Sequence, residues 1–563
     1  MTAKTLRARI QICLIIAAVP AIPITFRLFY LQTIKHDNLS ATASREFNRM
    51  VSETGPRGRI FDSQGNLLAE SIITWNCSLL KKELQDPTRA LSALASALAV
   101  PRIELQSKFR KGKNFVSVKK NLGQAEAEAV RALKLKGVLL EARQNRYYPS
   151  GNLARNVLGI AGLNKGLTGI ELLYDKVLTG QVLRREVVRD NGGRIIYQNE
   201  LDGEAAPMDI YLTIDKNIQF FAQEAIKKYA EKNRSDLAMV LVQDPNNGRI
   251  LAMATYPEDL GKIEPVEWVY EPGSTFKTVT VSAALEKNIF TTKDTFYCEN
   301  GAWALNSKVT IHDHEPEKTL TLSGVMERSS NIGAAKIGLK LGLENYYLYT
   351  KTFGFGTKTG LGFPGESSGI LRPIEKYTTV DLAVGSYGHG IAATPLQVIN
   401  AYSAVANGGE LLETRLVDRI TDATGKVKFK NEPSVIRRVI TTRTDTTIKD
   451  ILLNVVNSGT GKNAGVPGYL IAGKTGTSKK IDPLTGKYIT NKNVASFCGF
   501  FPADKPQYTI LVILDNPKLF YYGGETAAPA FQEIVKKIIT LKGIKPDKAL
   551  LERKLPAAAQ VTD

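Results

Sequence analysis

The sequence predicts an α+β chain of more than one domain, set behind an apolar N-terminal segment. Three observations carry this reading. The chain has 563 residues, more than one ordinary domain, and its 43% hydrophobic and 23% charged content is globular rather than disordered. Helical stripes and short β-type runs bounded by turn residues alternate along its second half. At the start, Lys4, Arg7 and Arg9 precede an apolar run from Ile10 to Phe26.

That run is broken only by Gln11, Thr25 and two prolines, Pro20 and Pro23, and is followed by Arg27 and Leu28-Phe29-Tyr30-Leu31. About 20 such residues, with Arg27 snorkelling, can cross a bilayer. Positive charge ahead of them places the N-terminus in the cytoplasm and the rest outside. A cleavable leader is the rival, but Ala17-Ala18-Val19 and Ala21-Ile22-Pro23 are poor cleavage sites. The expectation is an uncleaved single-pass anchor in the cytoplasmic membrane over residues 1–35.

Residues 36–206 form the next expected domain. Arg59-Ile60-Phe61-Asp62 and Leu67-Leu68-Ala69 read as strands about Gly65-Asn66, and Ala125 to Leu135 as a helix. Glu171 has no marked partner carboxylate, so a structural salt bridge is expected of it rather than acid catalysis.

Residues 207–544 form the larger domain. Asp215 stands at an N-cap position before a stripe of Ile218, Phe221, Ala222, Ala225, Ile226 and Tyr229. Ala238 to Gln243 and Ile250 to Thr255 read as a hairpin through Asp244-Pro245-Asn246-Asn247-Gly248. A helix is expected from Thr278, another over Ile332 to Leu341, and a strand over Tyr469 to Ala472. Val494 to Phe500 and Tyr508 to Leu514 read as two further strands of one meander. A helix from about Pro529 to Leu541 closes the domain, and residues 545–563 read as a mobile tail.

The net charge of +19 calls for an anionic partner. No zinc-finger spacing, RNA-binding aromatic signature or dense basic run points to nucleic acid; a membrane surface or an anionic wall polymer suits the charge. Cys13, Cys77, Cys298 and Cys498 have neither metal-ligand spacing nor a disulfide framework. His312-Asp313-His314 lacks a third ligand nearby and reads as a polar loop.

The chemistry centres on Tyr270-Glu271-Pro272-Gly273-Ser274-Thr275-Phe276-Lys277. On a helix, positions i and i+3 share a face, so the Lys277 amine can reach the Ser274 hydroxyl. Serine needs a base to become a nucleophile, and a lysine serves only if burial or a nearby cation lowers its pKa. Alone, S-x-x-K is weak: a capping serine and a solvated lysine explain it as well. Ser329-Ser330-Asn331 follows 55 residues on, at the head of a helical run, and Lys474-Thr475-Gly476-Thr477 lies 143 residues beyond Asn331. Three such elements in this order are hard to explain by chance.

On these residues the chain resembles a class B penicillin-binding protein, a monofunctional peptidoglycan transpeptidase, over nearly its whole length. Pro56-Arg57-Gly58-Arg59-Ile60-Phe61-Asp62 and Gly166 to Glu171 are similar to the class B pedestal motifs. Asp244-Pro245, Gly248 to Met253 and Thr394-Pro395-Leu396-Gln397 are similar to transpeptidase-domain segments. The resemblance implies a pedestal domain over 36–206 and a β-lactamase-like transpeptidase domain, an antiparallel sheet between helices, over 207–544. Glu271-Pro272-Gly273 and Asn331 look like the division-specific branch; elongation-type relatives usually have aspartate at the Asn331 position. Two departures stand out: a short link from Pro257 to Glu271, and His389 where the family commonly has glutamine. His389 is read as structural, not as the base.

The resemblance implies ping-pong acyl transfer on stem peptides, without metal or organic cofactor, and acylation by β-lactams. In it Ser274 is the nucleophile and Lys277 its base. Ser329 and Asn331 relay the proton and hold the donor amide, while Lys474 meets the terminal carboxylate and helps to lower the Lys277 pKa. Thr475, Gly476 and Thr477 bind the substrate, and the Ser274 and Thr477 amides form the oxyanion hole. A polytopic glycan polymerase and membrane proteins of the division complex are the implied partners. The alternatives are an elongation-type enzyme, a D,D-carboxypeptidase or β-lactamase, and a silent scaffold or β-lactam sensor.

Overall fold

The computed structural model describes residues 3–40, 48–53, 56–162, 165–180, 183–189, 195–201, 206–482, 485 and 487–546. The expected tail thus lies outside the described residues from position 547. The chain divides into two units, residues 1–55 with 179–207, and residues 56–178 with 208–563.

In the first unit a 27-residue helix, α1 (Ala3–Phe29), contains Pro20 and Pro23 and carries Arg27 in its last turn. Large apolar side chains along it are exposed, among them Leu14, Ile16, Ile22 and Phe26. Among the described residues no helix is long and apolar enough to cross a membrane. The unit also holds an antiparallel sheet in which Leu183–Arg189 lies between Asn48–Glu53 and Ile195–Leu201.

The second unit is built on a five-stranded antiparallel sheet. Its strands are β1 (Leu237–Gln243), β2 (Ile250–Tyr256), β3 (Ala472–Ile481), β4 (Tyr488–Phe501) and β5 (Tyr508–Asp515), in the order β2-β1-β5-β4-β3. The expected hairpin and meander are both present. Side chains alternate between two cores, as a period of two dictates: Val240, Val242, Ile510 and Val512 enter one, Met239, Leu241, Leu511 and Ile513 the other. Helix α2 (Lys216–Asn233) and the C-terminal helix Ala527–Lys542 contribute to the first core, with Ile218, Ala222, Ala225 and Ile226 of the predicted stripe buried. Asp215 caps α2, accepting from the Asn217 and Ile218 amides at 3.0 and 3.2 Å. The other core packs the helices that carry the first two motifs, α3 (Lys277–Glu286) and α4 (Asn331–Leu341).

One strand boundary differs from expectation. The β-type run Tyr469 to Ala472 does not end before Lys474; the strand begins at Ala472 and carries the lysine inside it. Backbone pairing with β4 makes it a strand, through Lys474↔Cys498, Thr475↔Phe497 and Gly476↔Ser496, whatever the weak β propensity of Lys474 and Gly476.

Within the second unit, residues 56–178 are joined to the part beyond residue 208 by one sheet. Ile60–Phe61 pairs antiparallel with Leu67–Leu80 and parallel with Asp209–Leu212, which in turn pairs with Val417–Thr421. Ile60, Leu68, Val157 and Ile170 share a core with Ile210 and Phe276. Farther out, Leu67–Leu80 pairs with Phe115–Leu122 and Val138–Tyr147 over a separate core of Leu79, Leu91, Leu94 and Leu98. The fully buried Glu171 carboxylate binds Arg57 Nε at 3.0 Å and Arg146 Nε at 2.6 Å, the structural role expected of it.

Candidate active site

Ser274 sits in a tight 3₁₀ turn, Gly273–Phe276, that leads into α3. Gly273 has φ +54°, and a Cβ there would lie 2.7 Å from the Thr477 carbonyl oxygen, so the turn can press against β3 only with glycine at this point. Gly476 is equally constrained on the facing strand. A Cβ on it would meet Ser496 Oγ at 2.3 Å and the Pro272 carbonyl at 3.0 Å.

One helical turn on, Lys277 is completely buried, and its amine makes four contacts. Nζ lies 2.9 Å from Ser274 Oγ, 2.6 Å from the Ser329 carbonyl, 3.2 Å from Ser329 Oγ and 2.9 Å from Asn331 Oδ1. The carbonyl contact requires Ser329 in the left-handed region, φ +60°, an uncommon conformation for a residue with a Cβ. Lys474 reaches the same serine from β3, donating to Ser329 Oγ over 2.8 Å, and is itself completely buried. The three predicted motifs therefore meet at one point.

Ser274, Ser329 and Asn331 line a cleft of about 480 Å³ that runs along β3, whose Thr475, Thr477 and Lys479 also line it. Among the described residues no strand pairs with the outer edge of β3. This arrangement of a serine, a buried lysine and a cleft beside a strand edge coincides with a family match. Residues 238–536 match the penicillin-binding protein transpeptidase domain. The chain belongs to the penicillin-binding protein transpeptidase family. Residues 52–212 further match the penicillin-binding protein dimerisation domain, the two-part organisation of class B members.

Relatives of this penicillin-binding protein extend the match over nearly its whole length. It is 32% identical to "Stage V sporulation protein D" of Bacillus subtilis, over 98% of this chain and 88% of that protein. It is 30% identical to "Probable peptidoglycan D,D-transpeptidase PenA" of Neisseria meningitidis, over 97% and 95%. With "Peptidoglycan D,D-transpeptidase FtsI" of Escherichia coli K12 it shares 29% identity over 92% and 90%. Among solved structures, penicillin-binding protein 3 of Mycobacterium tuberculosis in complex with aztreonam superposes with a TM-score of 0.69 at 27% identity, covering 89% of this chain and 99% of that one.

The electrostatics of the site follow from burial. Desolvation lowers the Lys277 pKa to about 7, against the Asp313 charge, which raises it. Lys474 lies well below its ordinary value through burial and the Lys277 charge. Burial leads at both lysines, and the repulsion between the two amines, which each exerts on the other, adds to it. Lys474 does not line the cleft. Thr475 and Thr477 do, the first hydroxyl 2.9 Å from Thr460 Oγ1 and the second accepting from the Gly523 amide at 3.2 Å.

His389 forms part of the cleft wall, its ring 5.1 Å from that of Tyr387 and 6.3 Å from that of Tyr488. Burial and the charges of Lys277 and Lys479 pull it down to about 4, so the imidazole is neutral at physiological pH. Glu271 joins this wall to the Ser274 turn. Its carboxylate accepts from the Gly390 amide at 2.7 Å and from the Tyr488 hydroxyl, and its carbonyl accepts from Ser478 Oγ at 2.7 Å.

Two features escaped the sequence reading. Asp313, expected in a plain polar loop, accepts from Ser330 Oγ at 2.6 Å and from the backbone amides of Asn331 and Ile332. His314 Nδ1 lies 2.7 Å from the Tyr522 hydroxyl, and both residues line the cleft. No periodicity or spacing rule links a loop aspartate to a serine 17 residues later, so a single sequence held no signal for either.

Proposed function

We propose that this chain is a peptidoglycan D,D-transpeptidase that crosslinks stem peptides through a serine acyl-enzyme at the division septum, and is a target of β-lactams. The observation that carries the reading is the buried Lys277 amine 2.9 Å from Ser274 Oγ, with a pKa of about 7. Half of such lysines are neutral near neutral pH and can accept the serine proton.

Ser274 Oγ attacks the carbonyl carbon of the penultimate D-alanine while its proton passes to Lys277. The oxyanion is held by the Ser274 and Thr477 amides. Collapse breaks the peptide bond, and the leaving D-alanine amine takes its proton through Ser329, whose hydroxyl stands between Lys277 and Lys474. The donor peptide extends along the free edge of β3, with Thr475 and Thr477 at its terminal carboxylate and Asn331 at its amide. An acceptor amine from a second stem peptide then attacks the ester. Its proton leaves by the same route, Ser274 Oγ regains a hydrogen, and the crosslink is released.

Septal use is supported by the relatives named FtsI, and by asparagine rather than aspartate at position 331. The β-lactam reading is supported by the aztreonam and ampicillin complexes of the Mycobacterium tuberculosis relative. The division into 1–35, 36–206, 207–544 and 545–563 is part of this proposal, supported by family matches over 52–212 and 238–536. So is a single-pass anchor in the cytoplasmic membrane with the catalytic domain outside. It rests on Lys4, Arg7 and Arg9 ahead of the apolar Ile10 to Phe26 and on the exposed apolar side chains of α1. A polytopic glycan polymerase and division-complex membrane proteins are the partners this placement suits.

The test is a crosslinking assay with full-length protein in detergent, given a polymerised glycan bearing pentapeptide stems and a labelled acceptor amine. Labelled dimeric stems from wild type and none from Ser274→Ala support the reading. Tetrapeptide product without incorporated amine makes the protein a carboxypeptidase instead.

A further inference from the structure

We propose that Asp313 is a positioning residue for the acyl transfer: it locks the Ser329-Ser330-Asn331 turn in place and supplies the negative charge that acts on Lys277. The inference rests on the transpeptidase reading above and adds a residue to it.

Asp313 follows the short hairpin formed by Ala302–Ala304 and Thr310–His312. One carboxylate oxygen accepts from Ser330 Oγ, the other from the first two amides of α4. Those amides are among the orphan donors of a helix start, and an anion there also meets the positive end of the helix dipole. Ser330 in turn caps the helix, accepting from the Gly333 amide at 2.9 Å. The backbone of the same loop contributes the His312 carbonyl, which accepts from Asn331 Nδ2 at 2.9 Å and so turns Oδ1 toward Lys277. Ser329 just before the cap is held at φ +60° with its carbonyl on Lys277. A left-handed residue with a Cβ is strained and persists only where its surroundings over-determine it. The Asp313 bonds to Ser330, Asn331 and Ile332 supply that constraint.

The charge has its own consequence. Lys277 is faced by Lys474 from β3, by His389 from the 386–390 turn and by Asp313 from the hairpin loop. Cys298 and Tyr387 also feel the aspartate. Of the charged groups acting on Lys277, Asp313 is the one that favours the ammonium form. Removing its charge while leaving its shape should therefore move the titration of Lys277 to lower pH.

The experiment measures the acylation rate by a fluorescent penicillin from pH 5 to 9 for full-length wild type, Asp313→Asn, Asp313→Glu and Ser330→Ala. Asp313→Asn is expected to acylate about tenfold more slowly, with the rising limb moved down by about one pH unit. Asp313→Glu keeps the wild-type limb at a reduced rate, and Ser330→Ala, which loses a bond but no charge, also leaves the limb in place. A wild-type limb in Asp313→Asn, or an equal shift in Ser330→Ala, overturns the proposal. Should Asp313→Asn fail to fold, an Asp313→Glu variant with the full wild-type rate overturns it. Failure of wild type to acylate would defeat the transpeptidase reading; an unmoved limb over normal wild-type acylation defeats only the role of Asp313.

Discussion

Lys474 Nζ lies 2.8 Å from the Ser329 hydroxyl oxygen, on which Lys277 also converges at 3.2 Å. Two buried amines thus share one small hydroxyl. Such a hydroxyl can pass a proton between Lys277 and a leaving or entering amine without any side chain moving.

Ser329→Ala removes that carrier while sparing the carbonyl that holds Lys277. Acylation by a fluorescent penicillin is expected to slow by roughly 10²–10⁴, the range for loss of general acid–base help. Stopped-flow fluorescence with a thermal melt checks it: the melting temperature should stay close to wild type. An unchanged rate would remove Ser329 from the proton route.

The acylation rate should rise with pH and reach half its plateau near pH 7, because the reactive form of Lys277 is the neutral amine and its pKa is about 7. Lys277→Arg, always protonated, should lose the reaction by roughly 10³ or more at every pH. A rate that falls between pH 6 and 8 would contradict the assignment.

The same shift predicts a pH dependence of stability. Lys277 drops from its ordinary 10.5 to about 7 on folding, so between these values the unfolded chain binds more protons than the native one. Stability therefore rises with pH across about 7–10. Denaturant midpoints measured at pH 7 and 9 should show a rise in wild type that shrinks in Lys277→Met. The variant should also gain about 0.5–2 kcal/mol at pH 7, the usual cost of an active-site group to stability.

The chemistry was more legible in the sequence than the fold that holds it. Ser274, Lys277, Ser329, Asn331 and Lys474 carry reactive or charged side chains in a recognisable order, and each arrives at one point. Glu171 was legible as an ion-pair member because its surroundings offered no second carboxylate. The β3 boundary was not, because hydrogen bonds to β4 define that strand and no run of apolar residues announces it. Asp313 was hidden for the same reason: its partners are backbone amides and a serine brought close only by the folded loop. That burial leads the Lys277 shift could not be counted from residue names.

Gly476→Ala should separate the two halves of the site. The added carbon would sit 2.3 Å from Ser496 Oγ, 2.9 Å from Thr275 Cγ2 and 3.0 Å from the Pro272 carbonyl, pushing β3 off the nucleophile turn. A destabilisation of about 1–3 kcal/mol is expected from overpacking, with acylation down about 100-fold since misplacement by an ångström costs that much. Chemical denaturation and penicillin kinetics on the same preparation check both.

Glu171→Gln tests the structural side. It leaves Arg146 facing a neutral group in a fully buried position, while Arg57 keeps Asp175 at 2.7 Å. The cost should be about 3–5 kcal/mol, as for breaking a buried ion pair. Protein that remains folded at low temperature should acylate at the wild-type rate; a selective loss of acylation would give Glu171 a role beyond the fold.

The most direct measurement is intact-mass spectrometry of the full-length protein after incubation with a penicillin, for wild type and Ser274→Ala. The account predicts a single adduct that persists for hours in wild type and is absent from Ser274→Ala. An adduct that forms equally on Ser274→Ala, or none on wild type, would contradict it.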